Sequence, residues 1–256
     1  MFPQSLPKMD GTYVRRKAER NTTGPLATCY NQLRDCPEIG VDEAGKGPMF
    51  GRVYAAAACL PKDTDNFPHG LMKDSKRFHS TKKIQMAYNA IKSSANAWSV
   101  AFEEASTIDQ INIRQATFRA MHRCILDVVS QLKKSNLSKE AFLIIDGNDF
   151  APITKVENGS FVHYDFACVE GGDNKYTSVA AASILAKVDR DAYIQSICES
   201  YPLLDSYYGL LRNKGYGTAS HMAGLQEHGL SPWHRKTYGV CKSLYCSDEF
   251  TDCTFN

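Results

Sequence analysis

IGVDEAGKGP, Ile39 to Pro48, runs from a short apolar segment into two adjacent carboxylates and then a Gly-Lys-Gly turn. An apolar strand gains by burial, whereas Asp42 and Glu43 at its end resist desolvation unless positive charge meets them. Whatever supplies that charge defines a site. A second run has the same form: AFLIID, residues 141 to 146, is continuously apolar, ends in Asp146 and is followed by Gly147 and Asn148. Its lack of alternation predicts a strand covered on both faces. In open α/β sheets sites gather at the carboxyl ends of strands, so acids ending two strands are candidates for one cluster. Close carboxylates repel, and a divalent cation with oxygen ligands, such as Mg²⁺, relieves the repulsion. The competing reading is an ordinary solvated turn acid, which suits Asp63, Asp65 and Asp109. Successive strand side chains point to opposite faces, so Asp42 and Glu43 share a site only if the chain bends there or Glu43 offers its carbonyl. Gly45 and Gly47 permit such a bend.

Outward from these runs, EIGVDEA is a first strand, RVYAAAACL (52 to 60) a second and AWSVAFEEA (97 to 105) a third. Helical spacing of Ile84, Tyr88 and Ile91 predicts a helix over 80–95, and that of Ile111, Phe118, Met121, Ile125, Val128 and Leu132 a longer one over 108–134. FVHYDFACV (161 to 169) alternates as one further strand. The alanine-rich segment from Tyr176 to Ile197 reads as a long helix packed closely on a sheet, and a short helix over 220–227 stops at Gly229. The expected architecture is an α/β fold, a mixed central sheet flanked by helices, with a C-terminal helical segment. Residues 1–37, polar and basic, read as a flexible extension, 38–240 as the folded domain and 241–256 as a tail.

Composition narrows the class. The 256 residues are 43% hydrophobic, enough for a sizeable core, and 30 basic against 28 acidic residues give a net charge of +2. A near-neutral total leaves room for a local basic groove. Nine irregularly spaced cysteines and an N-terminus without an apolar signal segment predict reduced thiols in an intracellular protein. Cys241, Cys246 and Cys253 lack the spacing and the fourth ligand of a zinc site. No run is long enough to span a membrane.

The chain also resembles a known family. GVDEAGKGPMFG (40 to 51) is similar to the Asp-Glu-Ala-Gly-Arg-Gly-Pro motif of type 2 ribonucleases H, the ribonuclease HII family. The resemblance continues in order through MKDSKRF (72 to 78), IDQINIRQATFRAM (108 to 121), LIIDGN (143 to 148), GGDNKYTSVAAASILAKVDRD (171 to 191), NKGYGTASH (213 to 221) and SPWHRKTY (231 to 238). It implies a ribonuclease H-like fold and metal-dependent cleavage of the RNA strand of RNA–DNA hybrids. Many members also cut beside a single ribonucleotide in duplex DNA, leaving 5′-phosphate and 3′-hydroxyl ends. By position, Asp42, Glu43, Asp146 and Asp173 would be the catalytic acids and would hold two Mg²⁺ or Mn²⁺ ions. Gly45, Lys46, Gly47 and Tyr216 would meet the ribonucleotide.

Lys73, Lys76, Arg77, Lys214, His234, Arg235 and Lys236 are candidate phosphate contacts, since a duplex is held by distributed positive charge. Asp189 and Asp191 are expected to pair with Lys187 or Arg190. Two departures bear on substrate preference: Lys46 replaces the usual Arg, and Gly171-Gly172-Asp173 stands where Lys-Gly-Asp is usual in bacterial members. The rival readings are a catalytically silent nucleic-acid-binding module and another two-metal nuclease on the same fold. No motif for a protein partner stands out, and the expected state is a monomer.

Overall fold

The computed structural model describes residues 24–31, 36–137, 140–157 and 160–250. Strands β1 (Glu38–Ala44), β2 (Val53–Cys59), β3 (Ala97–Glu103), β4 (Phe142–Asp146) and β7 (Asp165–Val169) form a five-stranded sheet in the order β3-β2-β1-β4-β7. The first three form an antiparallel meander; β4 lies parallel to β1 and β7 parallel to β4, so the sheet is mixed. β5 (Thr154–Glu157) and β6 (Ser160–His163) make a separate two-stranded ribbon. Helices are α1 (Thr81–Ser94), α2 (Ala105–Lys134), α3 (Thr177–Ser200), α4 (Leu203–Tyr208), α5 (Leu210–Asn213) and α6 (Ala219–His228).

The period-two alternation of the strands sorts side chains between two cores. Ile39, Val41, Ala55, Ala57, Leu143 and Ile145 face α2, whose Phe118, Met121, Ile125, Val128 and Leu132 cover them. Tyr54, Ala56 and Ala58 face the other way, against Ala180, Ala181, Ala182, Ile184 and Leu185 of α3 and Ile91 of α1. A third core joins Phe50 and Ile194 to Leu204, Tyr208, Leu225, Trp233 and Phe250, and so fastens the C-terminal helices to the domain.

The alanines let α3 approach β1 closely, and Gly40 marks the limit. A Cβ there would stand 2.2 Å from the backbone carbon of Ser178. Neither backbone can retreat without moving a core element. Gly40→Ala therefore costs roughly 2–3 kcal/mol by overpacking, a loss of roughly 5–10 °C in Tm for a domain of this size. Thermal unfolding checks this, and an unchanged Tm would contradict the packing.

Four expectations are corrected. FVHYDFACV is two strands: residues up to His163 pair with β5, and from Asp165 the chain joins the main sheet beside β4. Alternation reports which face is buried and says nothing about the neighbour, so it runs unbroken across Tyr164. The helix of 108–134 begins earlier, at Ala105, and is interrupted at Asn112, whose φ is 67°. The Asn112 side chain accepts from Gln115 N–H at 3.1 Å and so caps the helical stretch that follows.

The other two concern the ends of the chain. Residues 24–31 of the expected extension are docked: Ala27 bridges to Tyr176, the Tyr30 ring packs on Phe142 and Tyr176, and Glu38 accepts from the N–H groups of Tyr30 and Asn31. The basic stretch before residue 24 lies outside the described residues. The expected tail is anchored as far as Phe250, which is buried and packs on Trp233 at 6.1 Å between ring centroids, while Cys246 bridges to Leu230. Residues 251–256 lie outside the description.

Candidate active site

β1 and β4 are parallel neighbours with Val41 opposite Ile145, so Asp42 and Asp146 follow at the same end of the sheet. Asp173 comes to that end through Gly171 (φ 64°) and a tight 3-10 turn, Gly172–Asn174. The Gly172 N–H donates to Asp146 Oδ1 at 2.7 Å, tying the two acids together. Glu43 stays in regular register with Ala55, and the bend comes only at Gly45 (φ 92°). Glu43 nevertheless lies close enough to raise the pKa of both Asp42 and Asp146 by repulsion.

All three aspartates are shifted the same way. Burial, then repulsion from Asp146 and Glu43, holds Asp42 well above the ordinary carboxylate range against a hydrogen bond from Ser183. Burial and Glu43 raise Asp146 against the amides of Gly172 and Asp173. Burial, Asp146 and Asp74 push Asp173 up to about 6. Burial works against the Lys76 ammonium, but Asp74, Asp173, Asp42 and Asp146 together hold its pKa above the ordinary value. One lysine does not balance this group.

The donors fit a hard divalent cation: they are carboxylate oxygens, and Glu43 Oε2 is buried without a hydrogen-bond partner. Among the described residues no three His, Cys, Asp or Glu side chains are drawn tightly enough together to enclose an ion. Each acid leans on a protein partner: Asp42 on Ser183 and the Glu43 N–H, Glu43 on Lys46 at 2.8 Å, Asp146 on Gly172 and Asp173 on Asn174.

A pH dependence follows for the metal-free protein. The folded pKa of Asp173, about 6, lies above its ordinary 3.8, so the unfolded chain releases this proton first. Stability contributed by this group is complete below about 4 and is lost as pH rises through about 6. Metal-free Asp173→Asn should therefore lose less Tm than the parent between pH 4 and pH 7. Equal losses in parallel melts would count against this burial.

Beside the acids, a cleft of about 390 Å³ is lined by Glu43, the Gly45–Gly47 turn, Lys76, Lys187, Lys214 and Tyr216 among others. The half-exposed Tyr216 ring lies over Gly47, where a Cβ would meet its Cε1 at 3.4 Å. Lys76 and Arg77 are exposed nearby, Lys73 rests its ammonium over Phe78 at 4.3 Å, and Lys236 is exposed.

His234 and Arg235 do not belong with these lysines. Both are buried, at 1% and 0% exposure, and point inward. Arg235 donates to the carbonyls of Gly45 (2.7 Å), Lys46 (3.1 Å), Pro48 (2.7 Å) and Gly51 (2.9 Å), bracing the turn from behind. His234 bonds to Ser231 and His221. Arg190 is likewise buried and donates to the carbonyls of Arg52, Phe50 and Lys214, leaving Asp191 to Lys187 at 2.6 Å and Asp189 to the Tyr88 hydroxyl.

Asp109, expected to be solvated, accepts from Lys236 N–H, Thr237 N–H and the Thr237 hydroxyl, clamping that segment to α2. The signal for these inward roles was faint: a charged residue in a motif does not announce its burial. The eight described cysteines are free, Cys241 buried and Cys246 exposed, while Cys253 lies outside the description. No helix among the described residues is long and apolar enough to cross a membrane.

The family model described as Ribonuclease HII matches residues 39–241. The ribonuclease HII of Bacteroides thetaiotaomicron is 40% identical over 207 residues, covering 81% of this chain and 92% of that protein. That of Endomicrobium trichonymphae is 40% identical over 208 residues, covering 81% and 88%. Among solved structures, ribonuclease H2 from Pyrococcus horikoshii superposes with a TM-score of 0.57 at 20% identity, covering 80% of this chain and 95% of that one. The RNase HII of the PCNA:RNase HII complex from Archaeoglobus fulgidus gives 0.57 at 22%, covering 79% and 95%. The Bst-RNase HIII structure in complex with Mn²⁺ gives 0.52 at 19%, covering 77% and 71%. The match across residues 39–241, a span that includes the four acids and the glycine turn, places this chain in the ribonuclease HII family.

Proposed function

We propose that the chain is a divalent-metal-dependent endoribonuclease that cuts the RNA strand of RNA–DNA hybrids and also cuts at a single ribonucleotide set in duplex DNA, leaving 5′-phosphate and 3′-hydroxyl ends. One observation carries this reading: two parallel strands end in carboxylates at one end of the sheet, and Glu43, next to Asp42 on the first of them, lines the cleft that holds the glycine turn and Tyr216. Asp42, Glu43, Asp146 and Asp173 would hold two ions, Mg²⁺ or Mn²⁺. Such ions, when bound, activate a water and stabilise the charge on the leaving oxygen.

The protein's own groups do the rest. The 2′-hydroxyl separates RNA from DNA, and the glycine turn brings backbone close to it while the Tyr216 ring supports the sugar and base. Lys46, Lys73, Lys76 and Lys214 supply cations for the backbone phosphates. Lys46 already bonds Glu43, so this point charge is shared between an acid and the substrate. The free cysteines support a reducing, intracellular setting.

The test is cleavage of two labelled duplexes, a hybrid and a DNA duplex with one ribonucleotide, with Mg²⁺ or Mn²⁺. Tyr216→Ala should lower cutting at the single ribonucleotide by roughly 10- to 100-fold, the loss of one stacking contact. Binding of both duplexes without cutting, at any ion concentration, would instead favour a silent binding module.

A further inference from the structure

Behind Tyr216 two histidines are joined in a way that leaves no freedom in their protons. Ser231 N–H reaches His234 Nδ1 at 3.0 Å and can only donate, so that nitrogen accepts and His234 carries its proton on Nε2. The Tyr216 carbonyl lies 3.0 Å from His221 Nδ1 and can only accept, so His221 carries its proton on Nδ1. The facing Nε2 atoms, 3.1 Å apart, are then one donor, on His234, and one acceptor, on His221. Burial lowers the pKa of both imidazoles, which keeps each lone pair available. The rings are held by Phe50 and Tyr208, edge-on to His234 at 5.0 and 4.7 Å between centroids.

The relay ends on a residue already constrained from its other side. Tyr216 N–H donates to Asn213, its carbonyl also accepts from Thr218 N–H at 2.8 Å, and the neighbouring Gly215 carbonyl accepts from Met49 N–H. His221 supplies the bond that links this loop to the segment carrying Arg235, and Arg235 in turn braces the Gly45–Gly47 turn. Adjacent residues 234 and 235 thus each hold one of the two elements that meet in the cleft.

We propose that His234 and His221 are positioning residues, a proton-ordered relay from Ser231 to the Tyr216 carbonyl that sets the Tyr216 ring over Gly47 for recognition of the ribonucleotide. This rests on the reading of Tyr216 as a substrate contact.

Amide side chains separate the relay from simple core filling. Asparagine places its N–H near the imidazole Nδ1 position, and glutamine reaches the Nε2 position. At residue 221 the bond to Tyr216 leaves from Nδ1, so His221→Asn should preserve it and His221→Gln should break it, although glutamine better fills the volume. At residue 234 the bond to His221 leaves from Nε2, so the order reverses and His234→Gln outperforms His234→Asn.

The readout is kcat and KM on the single-ribonucleotide duplex, with Tm recorded for all four variants and Tyr216→Ala alongside. We expect kcat for His221→Gln about 10-fold below that of His221→Asn, the equivalent of one hydrogen bond, with the opposite order at 234. The same order at both positions, or rates that simply follow Tm, would overturn the relay. An unaffected Tyr216→Ala would overturn the reading on which it rests, and the relay with it.

Discussion

Asp146→Asn is expected to lower cleavage of both duplexes by about 10³-fold, because a bound ion contributes several kcal/mol to the transition state and each 1.36 kcal/mol is tenfold in rate. The fold should survive. Asparagine keeps an oxygen to accept the 2.7 Å bond from Gly172 N–H, and the side chain changes little in volume. What disappears is charge: of the charged neighbours, Asp146 does most to raise the pKa of both Asp42 and Asp173. A carboxylate whose folded pKa is raised disfavours the folded state once ionised, so the metal-free variant should melt higher than the parent at neutral pH. The parent should gain Tm on addition of Mn²⁺ and the variant should gain far less. Single-turnover cleavage and paired melts read both effects. Cleavage within tenfold of the parent, or an equal Mn²⁺ gain, would remove Asp146 from the site.

The two acid-ended strands were legible because the features that make them, a short apolar run and an abrupt pair of charges, are local. Their convergence was legible too, since parallel strands put their carboxyl ends together. Asp173 was not readable in that way: it comes to the site through a glycine in the left-handed region and a single 3-10 turn, and only the family resemblance pointed to it. The Asn112 break carried a weak local sign, an asparagine three residues before Gln115, that helical periodicity overrode. The inward turn of His234 and Arg235 had no local sign at all. Charge and motif position suggested a surface, whereas their burial depends on the turn near residue 48 returning against the segment near 235, nearly the length of the domain away in sequence.

That return gives Arg235→Ala the second large effect. The guanidinium satisfies four backbone carbonyls at once, those of Gly45, Lys46, Pro48 and Gly51, and among the described residues no carboxylate shares it. Burial pulls its pKa down to about 10, still well above neutrality, so the group remains charged. Truncation leaves buried acceptors unpaired and opens a void, a loss of roughly 3–5 kcal/mol. At 2–4 °C per kcal/mol, Tm should fall by roughly 6–20 °C. Arg235→Lys should recover only part, because a single ammonium cannot reach carbonyls on both sides of the turn as the planar fork does.

On the proposed function, cutting at a lone ribonucleotide should suffer more than binding of duplex, since the glycine turn loosens while Lys73, Lys76 and Lys214 are left in place. The alternative role, a phosphate contact, predicts something different: a Tm changed little, within about 0.5 kcal/mol of stability, and a salt dependence of duplex binding whose slope falls by about one unit. Melting and salt titration of one variant therefore decide whether Arg235 braces the glycine turn from inside or touches the substrate from outside.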